Sequence, residues 1–281
     1  MLISILSGKG GTGKTLVSVN LAVVSECGTY ADCDIEEPNG YLFLNPVISH
    51  EEEVNVKIPV IDTDLCDGCR KCIDFCNFNA LAYTGNKVIV FEDICHSCGG
   101  CTLVCPRKAI TEKDKSVGKF EKGMSGNTTF MSGTMKVGVA SGIPIVKRIL
   151  KEVLENIEGD VFIDSPPGSA CIVMESIRYA DYCVLVAEPT IFGRHNLEMV
   201  HELVKVFGKK YGVVLNKCTD KLNPSEDYCL KEGISILGRI PFDSSLGAIA
   251  SVGGIAALED ERFRAIFNSI LSGIKEDPEL I

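Results

Sequence analysis

The chain has 281 residues, enough for one large domain and a smaller one. Its 46% hydrophobic and 23% charged content is that of a globular protein, and a formal net charge of −10 argues against a basic nucleic-acid-binding face or an anionic-membrane anchor. No stretch reaches the ~18 apolar residues that span a bilayer and no basic leader precedes the first apolar run, so the expected compartment is the cytoplasm. Fourteen cysteines there point to metal or redox chemistry rather than disulfides. The first element, Leu2 to Leu6, reads as a buried strand stopped by Ser7 and Gly8. Gly8, four residues, Gly13, Lys14 and Thr15 follow in the phosphate-loop pattern G-x-x-x-x-G-K-[ST]. Gly8, Gly10, Gly11 and Gly13 let backbone N–H groups, that of Thr12 included, turn toward phosphate oxygens. Lys14 supplies a point charge, Thr15 a hydroxyl for Mg²⁺, and the following helix its positive end. Gly8, Gly10 and Gly13 also spell G-x-G-x-x-G, with Asp32 or Asp34 about 20 residues on, as a dinucleotide site would. Such a site has no use for a lysine and a hydroxyl directly after the third glycine.

A second lysine, Lys9, follows the first glycine. KGGTGKT resembles the deviant Walker A loop of the MinD/Mrp/ParA ATPases, relatives of nitrogenase iron protein. The resemblance implies a nucleotide-sandwich dimer in which Lys9 reaches the γ-phosphate of the partner subunit. A helix from Leu16 to Cys27 ends at Gly28, and Thr29 to Cys33 is a short strand. ADCDIEEPN resembles the family's switch I. By that resemblance Asp34 positions or activates the attacking water, and Asp32 helps hold the Mg²⁺ shell.

Residues 51 to 60 read as an edge strand with alternating side chains. Cys66, Cys69, Cys72 and Cys76 then stand at C-x2-C-x2-C-x3-C, and Cys95, Cys98, Cys101 and Cys105 repeat that spacing. This is the pattern of bacterial two-cluster ferredoxins, in which the fourth cysteine of each run ligates the other cluster. The predicted sets are Cys66, Cys69, Cys72 with Cys105, and Cys95, Cys98, Cys101 with Cys76. Zinc is the competing reading, but two complete tetrads with this spacing do not resemble zinc ribbons. Asn77 follows Cys76 where this type often has proline. His96 reads as a neighbour rather than a ligand, and Ala80 to Phe91 as a hairpin around Gly85-Asn86.

Residues 113 to 136 read as a return linker, Ile143 to Ile157 as a helix, and DVFID as a strand ending at Asp164. SPPGS follows. D-x-P-P-G resembles the family's switch II, which makes Asp164 the acid of the Mg²⁺ second shell and lets the Gly168 N–H sense the γ-phosphate. Cys171 reads as a small buried cysteine, although iron-protein relatives bridge a cluster from a nearby position. Cys27, Cys33, Cys183, Cys218 and Cys229 lack ligand spacing. Tyr182 to Ala187 is a strand, His195 to Phe207 a helix, Gly212 to Leu215 a strand ending in Asn216-Lys217, and Ile236 to Ile240 the last strand. A guanine reader wants N-K-x-D, but Thr219 stands fourth and Asp220 comes one place late, which points to adenine. The resemblance then makes Asn216, Pro241 and Asp243 base contacts, with a turn and helix cap as the plain reading of the last two. Residues 259 to 275 form a terminal helix expected to pack on the domain, since an anionic membrane would repel the acidic tail EDPELI.

The expected fold is α/β: a doubly wound, mostly parallel P-loop domain (1–60 and 113–281) carrying an inserted small α+β two-[4Fe-4S] ferredoxin-like domain (61–112). The expected activity is a slow, partner-stimulated ATPase using ATP, Mg²⁺ and two [4Fe-4S] clusters. It would work as a nucleotide-dependent homodimer, or a heterodimer with a paralogue, acting on a redox or metallocluster partner and on neither nucleic acid nor membrane. A cluster carrier, scaffold or redox sensor is the alternative. A positioning or partition ATPase fits the acidic charge poorly.

Overall fold

The computed structural model describes residues 1–156, 159–219 and 222–277. In chain order the elements begin β1 (Leu2–Leu6), α1 (Lys14–Val24), β2 (Thr29–Asp32), α2 (Gly40–Leu44) and β3 (Val47–Ile61). Next come α3 (Lys71–Phe75), β4 (Leu81–Thr84), β5 (Lys87–Val90), α4 (Gly100–Val104), β6 (Ile110–Ser125) and β7 (Thr128–Met135). The chain continues through α5 (Ile143–Asn156), β8 (Val161–Asp164), α6 (Cys171–Ile177), β9 (Tyr182–Ala187), α7 (Ile191–Val206) and β10 (Lys210–Cys218). It closes with α8 (Pro224–Glu232), β11 (Ile236–Pro241), α9 (Ser244–Ser251), α10 (Ala256–Glu259) and α11 (Glu261–Lys275).

Nine strands form one sheet in the order β11-β10-β9-β1-β8-β2-β7-β6-β3. From β11 to β7 every neighbour is parallel; β6 and β3 are antiparallel. Alternate residues face opposite sides. Ile3, Ile5, Tyr182 and Val184 join a core with α1 and α11, whereas Leu6, Cys183 and Leu185 join one with α7. Ala31, Cys33 and Ile163 continue the second face under α5. The terminal helix packs on the domain as expected. Asp260 caps it, accepting from Arg262 N at 2.9 Å, and Phe263, Phe267, Ile270, Leu271 and Ile274 are buried, worth about 1.5–3 kcal/mol each.

Residues 113–136 are not a linker but most of β6 and all of β7. Their Lys, Gly, Ser and Thr content suggests a coil, yet the glycines mark close approach. A Cβ on Gly133 would collide with Ile145 of α5, and one on Gly118 with the Thr134 carbonyl. Between the glycines, Phe120 and Phe130 are buried. β3 and β6 pair from Val47↔Met124 to Ile61↔Ile110, with register shifts between Ile48 and His50 and between Val54 and Asn55, so one ribbon runs from the large sheet into the cysteine-rich segment.

Smaller differences have local causes. α7 begins four residues before the expected His195, because Thr190 Oγ1 accepts from Gly193 N at 2.8 Å and starts the helix there. α8 has Asn223 as cap, Pro224 in its first turn and Gly233 beyond its end, a complete start–stop signature that the sequence reading passes over. The hairpin around Gly85-Asn86 is β4–β5. Ile157, Asp220 and the last four residues of EDPELI lie outside the described residues. No helix among the described residues is long and apolar enough to cross a membrane.

Candidate functional site

The phosphate loop joins β1 to α1 in the middle of the sheet. Parallel register sets Ile5 beside Asp164 and Asp164 beside Asp32, so the ends of β1, β8 and β2 converge. Gly11 (φ 75°) and Gly13 (φ 95°) are left-handed. Both Gly10 and Gly11 face open space, whereas a Cβ on Gly8 would collide with the Asn196 carbonyl. Lys9, Gly10, Gly11, Gly13, Lys14, Thr15 and Asp34 line a cleft of about 790 Å³, room enough for a nucleotide. Thr12 Oγ1 is buried and, among the described residues, has no protein partner. An orphaned hydroxyl, open glycine amides and a buried lysine beside carboxylates suit an Mg²⁺-bound triphosphate.

Lys14 is 6% exposed. Its Nζ lies 3.1 Å from Asp164 Oδ1 and 3.5 Å from Asp34 Oδ2. Burial opposes its charge, but Asp164 and Asp34 outweigh that and its pKa rises. Asp32 is fully buried; burial first, then the neighbouring Asp164, push its carboxyl well above the carboxylate range. Its Oδ1 accepts from Asp34 N (3.1 Å) and its Oδ2 from Gly40 N (3.0 Å). Burial also raises Asp34, although Lys14 pulls it down.

Lys9 folds back onto Glu188 of its own chain. Burial disfavours the Glu188 charge, but Lys9 and Lys217 outweigh it and hold the carboxyl below its ordinary value. The Gly168 N–H donates to Ser7 O at 2.9 Å, so meeting a phosphate requires exchanging that bond. Asn216 is buried, and its Nδ2 donates to Thr12 O at 2.7 Å while its Oδ1 accepts from Lys217 N at 2.9 Å. It therefore straps the loop. Asp243 caps α9, its Oδ1 accepting from Ser245 N at 2.7 Å and Leu246 N at 3.3 Å. Pro241 is exposed at the end of β11. Cys171 is exposed rather than buried, because it opens α6 at the surface instead of facing the sheet.

The two cysteine runs fold alike. Left-handed residues recur at matching places: Gly68 and Ser97, Arg70 and Gly99, Asn79 and Lys108. Each run carries a five-residue helix, α3 or α4, into its fourth cysteine. Leu81↔Val90 in the hairpin answers Ile110↔Ile61 in the ribbon. One cavity is lined by Cys66, Cys69, Cys72 and Cys105. Another is lined by Cys95, Cys98, Cys101 and Cys76. These are the crossed sets expected from the spacing. Burial pushes the Cys72 thiol up, and pushes Cys101 up to about 11, so ligation there must displace a proton. Among the described residues no three His, Cys, Asp or Glu side chains converge as a single metal ion would require. Exposed His96 stacks on Phe78 with centroids 3.8 Å apart.

The family model for the CobQ/CobB/MinD/ParA nucleotide-binding domain matches residues 3–253. The chain belongs to this family. An uncharacterised protein of Methanocaldococcus jannaschii, MJ0579, is 30% identical over 222 residues, which cover 77% of this chain and 80% of that protein. A ferredoxin of Methanothermococcus thermolithotrophicus is 42% identical over 57 residues, 19% of this chain and 95% of that one. Among solved structures, the septum site-determining protein MinD of Pyrococcus horikoshii, complexed with Mg-ADP, superposes with a TM-score of 0.62 at 20% identity, covering 98% of this chain and 96% of the other. The cell-division ATPase MinD of Pyrococcus furiosus gives 0.61 at 20% identity, with 98% of each chain covered. At that identity the structural likeness establishes the fold alone, a mostly parallel α/β P-loop fold like that of MinD.

Within this CobQ/CobB/MinD/ParA member, sequence reasoning misses three residues that touch the site. Glu188 follows β9 and holds Lys9; an acid at the C-terminal end of a parallel strand was the available signal. Lys217 Nζ donates to Gly11 O at 2.7 Å and lies 3.5 Å from Glu188 Oε2. Tyr30 lies in the short strand read as Thr29 to Cys33, where no local pattern singles it out.

Proposed function

We propose that this protein binds and hydrolyses ATP and carries two [4Fe-4S] clusters, coupling Mg-ATP-dependent dimer switching to electron transfer or metallocluster assembly on a partner protein. Residues 1–60 and 113–281 make the ATPase domain and residues 61–112 the ferredoxin domain, in a cytoplasmic homodimer or a heterodimer with a paralogue. Gly8, Gly10, Gly11, Thr12 and Gly13 cradle the phosphates, and Lys14 neutralises them. Thr15 and Asp32 hold Mg²⁺, with Asp164 behind them. Asp34 orients the attacking water, and Gly168 reports the γ-phosphate. Asn216, Pro241 and Asp243 flank the base. Lys9 leaves Glu188 to meet the partner subunit's nucleotide. When bound, the clusters supply low-potential one-electron storage.

The reading rests on one observation: two cavities, each rimmed by four cysteines, on a ribbon continuous with the nucleotide-site sheet. The ferredoxin match supports it. Coupling has a physical route, since α6 follows the D-x-P-P-G segment and packs on α5, which packs on β3, β6 and β7. The test is anaerobic iron and sulfide analysis with EPR of the reduced protein, with and without Mg-ATP. About eight irons and an ATP-dependent spectrum are expected; zinc in their place would end the proposal. Solvent exposure of Cys69 and Cys98 favours a second reading, a cluster carrier or redox sensor. Full clusters indifferent to ATP that pass to an apoprotein would select it.

A further inference from the structure

Tyr30 is fully buried on β2, two residues before Asp32 and therefore on the same face. Its hydroxyl lies 2.9 Å from Asp164 Oδ2 and 3.1 Å from Asp32 Oδ2. Two neighbours hold the ring. Phe130 stacks at 6.0 Å between centroids. Gly40 approaches so closely that a Cβ there would collide with the ring and the hydroxyl. The same Gly40 donates its N–H to Asp32 Oδ2. Asp164 thus keeps Oδ1 for Lys14 and commits Oδ2 to Tyr30. A strand buried on both faces needs no hydroxyl at this position; phenylalanine would fill the volume. A hydroxyl that cannot swing away, set between two carboxylates on adjacent strands, fixes their spacing and rotamers.

We propose that Tyr30 is a positioning residue for Mg²⁺: its hydroxyl presets Asp32 and Asp164 as a pair, and Gly40 clamps it there. This rests on the nucleotide-site reading above. Such outer partners of metal-binding carboxylates typically change metal affinity about 10–100-fold when removed.

The experiment measures binding of a fluorescent ADP analogue to the full chain, in EDTA and across a Mg²⁺ titration, for wild type and Tyr30→Phe, with melting curves of both. Wild type binds more tightly with Mg²⁺. In Tyr30→Phe the Mg²⁺-free affinity stays within about twofold, while the strengthening by Mg²⁺ falls about tenfold. Asp32→Asn alters a carboxylate that itself serves Mg²⁺ and loses at least as much of the Mg²⁺ increment, and the effects of the two substitutions combined fall short of their sum. An unchanged Mg²⁺ increment in Tyr30→Phe, or in Asp32→Asn should Tyr30→Phe fail to fold, overturns the inference and leaves the nucleotide site standing. Equal losses with and without Mg²⁺ overturn it too, because they mark general damage. A wild type that binds no nucleotide removes both readings.

Discussion

Replacing Lys14 by methionine takes the only cation in contact with Asp34 and Asp164 among the described residues out of a site where the lysine side chain is 7% exposed and the carboxylate side chains are 19% and 1% exposed. At an effective dielectric of about 20, each contact near 4 Å is worth roughly 4 kcal/mol before desolvation. Breaking a buried pair while leaving its acids behind costs about 3–5 kcal/mol net. At about 2–4 °C per kcal/mol, the melting temperature should fall by roughly 6–20 °C. The deficit depends on pH. Burial holds Asp32 and Asp34 above their ordinary values, so the folded state binds protons more tightly there than the unfolded state. Their unfavourable contribution is absent below the unfolded value near pH 4 and grows as pH rises toward the folded value. Removing Lys14 raises the folded values further, so the deficit against wild type should widen from pH 5 to pH 8. Melting scans at both pH values, with nucleotide binding measured alongside, make the assay. Retained nucleotide affinity, or a deficit that shrinks as pH rises, would refute the reasoning.

Lys9→Ala should still bind ATP but neither dimerise nor hydrolyse it; normal turnover in a steady-state assay would remove the trans role. Cys76→Ser should lose the centre held with Cys95, Cys98 and Cys101 and keep the other, leaving about half of the roughly eight irons. Iron analysis with EPR decides, and loss of the signal belonging to Cys66, Cys69 and Cys72 would disprove the crossing. Asn216→Ala leaves the Thr12 carbonyl without its partner, a cost of about 1–3 kcal/mol. If the residue acts as a strap, ATP and GTP affinities fall together by roughly 5–150-fold; a loss confined to ATP would make it a base contact instead. His201 sits between Tyr228 OH (2.7 Å) and Tyr211 OH (2.9 Å), and burial lowers its pKa. Its stabilising effect is therefore full above about pH 6.5 and declines as pH falls below that. The drop in urea midpoint from pH 7 to pH 5 should be smaller in His201→Gln.

Two things were legible from local pattern because their chemistry is local. The phosphate loop needs consecutive glycines and a lysine, and the cysteine runs need fixed spacing, so residues close in sequence carried both. Buried parallel strands read equally well as short apolar runs. The misses share a cause. β6 and β7 read as a linker because their glycines are explained by α5 and the neighbouring strand, which no window of sequence contains. Glu188 and Lys217 are far along the chain from the loop they touch, and nothing local to Tyr30 signals that Asp164 on another strand meets its hydroxyl.

By itself, then, the sequence determined the phosphate-loop pattern, the alternation of strands and helices, and the spacing of two cysteine runs. The tertiary structure alone decided which distant groups act together. Parallel register brings Asp32 beside Asp164 and leaves Tyr30 between them; the convergence of strand ends places Glu188 on Lys9 and Asn216 on Thr12. Local pattern records what each residue prefers, whereas hydrogen bonds and charge pairs depend on distances between chain segments that only sheet order sets.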